Sequence, residues 1–183
     1  MSSTSAIRSL AGHFAEPQMA DLKFKDAYRR FSGAWETSFG WRLLKELQPA
    51  DQHVLQRLRV PLDESQPEFE GQILGLTKLL VDRLNEKEIS KNTKNPIDGA
   101  KGIQKLDTWL SEREFPDRER QIANLKRLQE LRSKMAAHSK GSDYAKFLKK
   151  QGVDSDFAHE MTQELNKATD LLHSFAEHFE VRM

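Results

Sequence analysis

The stretch Ser65-Gln-Pro-Glu-Phe-Glu-Gly-Gln-Ile-Leu-Gly-Leu-Thr-Lys-Leu-Leu-Val-Asp-Arg-Leu-Asn85 decides the fold class. Ser65 or Gln66 can cap a helix, and Pro67 suits its first turn because proline lacks the N–H that a helix start leaves unpaired. Phe69, Ile73, Leu76, Leu80 and Leu84 then recur at steps of four, three, four and four, which is the spacing of one helical face. Leu74, Leu79 and Val81 widen that stripe, so the predicted helix over 67–85 is buried on more than one side.

The same pattern recurs on both sides. Phe24, Tyr28, Phe31, Trp35 and Phe39 make an aromatic stripe on a helix near 18–39, with a new element expected from Trp41 to before Pro49. A short helix is expected over 50–58, stopped by Val60-Pro61 because the residue before proline avoids the helical region. Lys87 to Gly99 is polar and rich in turn signals and reads as a loop. Helical spacing returns through Ile103, Leu106 and Leu110, through Ile122, Leu125, Leu128, Leu131 and Met135 after an Asp117 cap, and through Phe157, Met161, Leu165, Leu172, Phe175 and Phe179.

Composition agrees. The chain holds 22 Leu against 5 Val and 6 Ile, and strands favour the β-branched types. The expectation is an all-α, single-domain helical bundle of about five to seven helices. Residues 1–60 form an N-terminal helical extension packed on a bundle over 61–183. The 183 residues suit one folded unit. No apolar run is long enough for a membrane span, and without cysteine there is no disulfide or thiolate chemistry. No apolar signal core opens the chain, so a cytoplasmic protein is expected.

Formal net charge is +1, which excludes a generally basic coat protein or an acidic tail. Counted by segment, residues 1–100 are neutral, 101–150 carry +6 and 151–183 carry −5. Such a local cluster can attract a polyanion on a neutral chain. It can equally face the acidic last helix.

Inside the basic segment stands Leu131-Arg-Ser-Lys-Met-Ala-Ala-His-Ser-Lys-Gly-Ser-Asp-Tyr144. The pair Arg132 and His138 resembles the Arg-x4–6-His motif of the HEPN superfamily, the higher eukaryotes and prokaryotes nucleotide-binding domains. The tail from Ala137 through Lys140-Gly141-Ser142 to Tyr144 resembles some uncharacterised bacterial members. The likeness is sharpest over 117–150 and says little about 1–60. It implies a helical bundle that dimerises and cleaves RNA without metal, in a bacterial toxin or phage-defence system, with a partner protein in a toxin–antitoxin setting.

The residue types suit that chemistry. Histidine, with an unperturbed pKa of about 6.5, can act as base or acid on the ribose 2′-hydroxyl and the leaving oxygen. A guanidinium can take the charge that builds on the phosphoryl oxygens. The products would be a 2′,3′-cyclic phosphate and a 5′-hydroxyl. On a continuous helix, six steps of about 100° set His138 roughly 120° from Arg132. The two converge only if the helix distorts or ends near Ala136, or if two copies face each other across a dimer cleft.

Ser133 departs from the polar Asn, Asp or His that follows the arginine in many active members. Ser133, Lys134, Lys140 and Tyr144 are the candidate RNA contacts. Each also has a structural alternative: His138 as a helix C-cap, Arg132 in an ion pair, the lysines as solvated surface and Tyr144 as packing. No cofactor and no metal are expected. His173 and His178 lie five apart, a poor helical ligand spacing, and Asp154, Asp156 and Glu160 read as acids gathered at a helix start. The alternative function is a non-catalytic helical interaction module, motivated by the aromatic stripe, or a nucleotide-binding partner of a separate enzyme.

Overall fold

The computed structural model describes residues 3–62, 65–136, 142–153 and 156–183, with side chains placed from residue 20 onward apart from 136, 142, 143 and 145. It is an all-α bundle: α1 (Ser3–Phe39), α2 (Gln52–Arg57), α3 (Gln66–Thr77), a π turn (Lys78–Asp82), α4 (Glu86–Lys91), α5 (Ile103–Ser111), α6 (Arg118–Ala136), α7 (Ser142–Lys150) and α8 (Phe157–His178). Among the described residues there is no strand, only an isolated bridge between Leu44 and Leu84.

Helices α1 and α8 lie against each other through aromatic side chains. The Phe31 and Phe175 rings are 6.4 Å apart and those of Trp35 and Phe179 are 5.3 Å apart. Helix α3 meets α8 where Phe69 stacks on Phe157 at 5.1 Å. It meets α6 where the Thr77 hydroxyl, bonded to the Ile73 carbonyl, also reaches that of Leu128 at 3.4 Å. Residues from α1 to α8 share one apolar core, so the segment before residue 61 contributes to the same interior as the rest. The indole nitrogens of Trp35 and Trp109 are buried without a hydrogen-bond partner among the described residues.

The start of α3 follows the sequence signals. The Ser65 side chain accepts from the Glu68 N–H, and Pro67 occupies the first turn. Helix α1 begins earlier than its aromatic stripe suggests and ends at Gly40, whose φ of +71° favours a residue without a β-carbon. The new element expected from Trp41 to before Pro49 is not a helix. That segment is extended instead, held by the Lys45 N–H on the Arg83 carbonyl (2.7 Å) and the Asn85 N–H on the Leu43 carbonyl (2.9 Å).

Part of the expected 87–99 loop is also helical. Asn85 accepts from the Glu88 N–H to cap α4, and Ile89 is its one buried anchor. The turn beyond is tied down, because the Glu112 carboxylate accepts from the Lys94 and Asn95 N–H groups at 2.7 Å each. Those bonds hold the Glu112 carboxyl below its usual range.

Candidate nucleic-acid interface

Helix α6 carries the arginine of the motif, its apolar stripe of Ile122, Leu125, Leu128, Leu131 and Met135 turned to the core. Arg132 sits on the flank facing the π turn. Its guanidinium donates to Asp82 at 2.5 Å, with about 40% of the arginine side chain exposed. The turn that presents Asp82 is fixed from its other side. Lys78 (2.6 Å) and Arg83 (2.5 Å) both reach the Asp51 carboxylate, and the Lys78 hydrogen bond, ahead of the Arg83 charge, draws the Asp51 carboxyl below its usual range. Arg132 is thus an oriented, solvent-reachable cation with one carboxylate tether among the described residues.

The neighbouring candidates diverge from it. The Ser133 hydroxyl donates to the Gln129 carbonyl at 2.9 Å. Lys134, two residues and roughly 200° of helix beyond Arg132, turns the opposite way and places its Nζ 5.9 Å from the centre of the Phe147 ring on α7. Tyr144 is a core residue whose hydroxyl donates to Glu70 at 2.9 Å. Glu70 also accepts from Gln66 at 2.7 Å. Burial first, and Glu70 second, push the Tyr144 phenol well above its ordinary pKa. With its ring packed inside and its hydroxyl on Glu70, Tyr144 offers no open face for base stacking. His138 and Lys140 lie outside the described residues.

Much of the +6 of the basic segment is consumed inside the molecule. Arg120 bridges Asp117 (2.7 Å) and Asp170 of α8 (2.6 Å). Arg127 binds Glu164 and lies 3.8 Å from Glu160, both on α8. Arg118 binds Asp107 at 2.7 Å. Arg113 lies over the Trp109 ring at 4.1 Å and donates to the Asn92 carbonyl, and burial lowers its pKa. Three further cations of the segment lie on α7. Leu148 and Tyr144 of that helix are buried, and Lys146, Lys149 and Lys150 line the opposite, exposed face at i, i+3 and i+4.

Asp82 and Glu70 were not legible as partners in this region. Asp82 lies 50 residues before Arg132, and no local spacing signals the pair. Glu70 carried one clue, its i, i+4 spacing from Gln66. His178 is used structurally: its Nε2 lies 3.1 Å from the Arg113 carbonyl and its ring meets Phe115 edge-on. Asp156 caps α8 on the His159 N–H at 2.8 Å, and Asp154 lies outside the described residues. Among the described residues no cluster of ligand types suits a metal ion, and no helix is long and apolar enough to cross a membrane. Comparison with family models, with curated proteins and with solved structures finds no match to this chain.

Proposed function

We propose that this chain is a HEPN-like RNA-binding protein that cleaves RNA without metal, as a homodimer, in a bacterial toxin or phage-defence system. RNA contacts the outer face of α7 and the end of α6. Arg132 stabilises charge on the phosphoryl oxygens and His138 moves the proton. The observation that carries this reading is the sorting of the basic segment: Arg120 and Arg127 are paired with carboxylates of α8, whereas Lys146, Lys149 and Lys150 share an exposed face of the helix that follows the motif.

Arg132 and Lys134 point to opposite flanks of α6, so one protomer does not bring these two into a single cleft. A second copy supplies the missing half. The competing interaction module loses its motive, because Phe24, Tyr28, Phe31 and Trp35 of the aromatic stripe are core residues within this chain.

The test is incubation with total RNA in EDTA, beside Arg132→Ala and His138→Ala. Cleavage by the parent alone, leaving 2′,3′-cyclic phosphate and 5′-hydroxyl ends, is expected. Intact RNA at micromolar protein, indistinguishable from His138→Ala, rejects the catalytic part. The binding part is read from salt dependence: Lys149→Glu with Lys150→Glu should flatten the log–log slope by about 2.

A further inference from the structure

A groove of about 330 Å³ opens where α1 passes the extended segment and α2, at the lower end of the size range of small-molecule sites. Its wall includes Leu44, Leu47 and Leu55, and its charged lining is Arg29, Arg42 and Lys45 against the single carboxylate of Glu46. Arg42 is held in place by Glu36 at 2.7 Å, whereas Arg29 and Lys45 have no ion-pair partner among the described residues. We propose that this groove binds a small organic phosphate, the phosphate on Arg29, Arg42 and Lys45 and the apolar body on the leucines.

Two further observations point to a ligand. Tyr28 is 5% exposed, lines the groove, and its hydroxyl has no hydrogen-bond partner among the described residues. The charges of Arg42 and Arg83 act on that hydroxyl, so it lies on the cationic side. The rest of the side chain is packed away, so the hydroxyl is the part of Tyr28 available to a ligand in the groove, as a donor. The second observation is Gly33 on the groove wall, in the interior of α1. Glycine is the poorest helix former after proline, yet a β-carbon there would meet nothing within 4 Å. Packing within the chain therefore does not require glycine at 33, and its absent side chain keeps the groove open. With Glu36 and Glu46 both set against Arg42, the three cations leave one net positive charge at the groove, carried by the unpaired Arg29 and Lys45, which attracts a phosphate.

The probe is ADP, titrated calorimetrically into the full chain, with adenosine and a short single-stranded RNA as comparison ligands. ADP is expected to bind at about 1 mM or tighter, and adenosine at least about tenfold more weakly. Arg29→Glu and Lys45→Glu, both at exposed positions, should each weaken ADP by about tenfold or more, and Tyr28→Phe by severalfold. Gly33→Leu, built into open space, should leave the melting temperature near that of the parent and exclude the ligand. Arg132→Ala should bind ADP as the parent does, which separates this groove from the RNA interface. Absence of ADP binding, or binding unchanged in Arg29→Glu and Lys45→Glu, overturns the proposal. So does a groove that takes the RNA, with loss on Arg29→Glu, but not ADP.

Discussion

Glu164 is 2% exposed, and its charge is held by Arg127 from α6 and by Lys167 one turn along α8, at 2.7 Å. Replacing Arg127 by methionine keeps most of the apolar stem and removes the guanidinium. It strips Glu164 of one partner, frees the Gln151 carbonyl that Arg127 also binds at 3.0 Å, and takes a cation from beside Glu160. Breaking a buried pair costs about 3–5 kcal/mol, and because Lys167 remains, the lower end applies, about 3 kcal/mol. For a chain of this length that lowers the melting temperature by about 6–12 °C. Burial already raises the Glu160 carboxyl, with Arg127 opposing it. The stability Glu160 contributes is present at acid pH and lost as pH rises through its raised pKa, so the Arg127→Met deficit should be larger at neutral than at acid pH.

Arg127→Met combined with Glu164→Leu removes both charges and should recover most of the loss, giving a coupling of about 2 kcal/mol or more. Urea unfolding of the four proteins, followed by circular dichroism, measures the cycle. A single variant within about 0.5 kcal/mol of the parent, or a double variant showing the sum of the two single losses, refutes the reasoning.

Three other perturbations follow from the geometry. Arg132→Ala should change unfolding free energy by less than about 1 kcal/mol, since its pair with Asp82 is solvent-exposed, while abolishing RNA cleavage; a large stability loss would recast Arg132 as structural. Asn85→Ala removes the α4 cap and the bond to the Arg42 carbonyl, and should cost about 1–2 kcal/mol in a urea titration. Burial pushes the Tyr28 phenol up to about 12 and the Tyr144 phenol higher than its ordinary value, and the chain has no other tyrosine. Absorbance at 295 nm should therefore stay flat past pH 10 and rise only with unfolding. The tyrosines' share of stability is whole below their unfolded pKa and drains away as pH climbs through the folded values.

Legibility in the sequence tracked how local each cause was. The all-α class, the Ser65 start of α3 and the inward faces of α6 and α8 depend on residues a few positions apart, and periodicity displays them. Helix α4 escaped because Ile89 is its only buried residue, too little for a period to show. Helix α7 was hidden under its charges: Tyr144 was weighed as an RNA contact, and its amphipathic spacing with Leu148 went unread. The internal fate of the basic segment depended on Asp170, Glu160 and Glu164, some 33–50 residues away. Segment charge counted those groups correctly and had no means of saying which faced each other.

The π turn between α3 and α4 amounts to one surplus residue lodged in a helix. It rotates the last turn of that helix relative to the turns before it, and the charged groups at its end inherit the offset: Asp82 turns to Arg132, while Arg83 next door turns to Asp51. Excising a single position from 78–82 would let α3 end in ordinary α-helical turns. The backbone would become more regular and the clasp on Arg132 would come undone. Local irregularity here is the gauge that keeps the cation of the motif pointed in one direction.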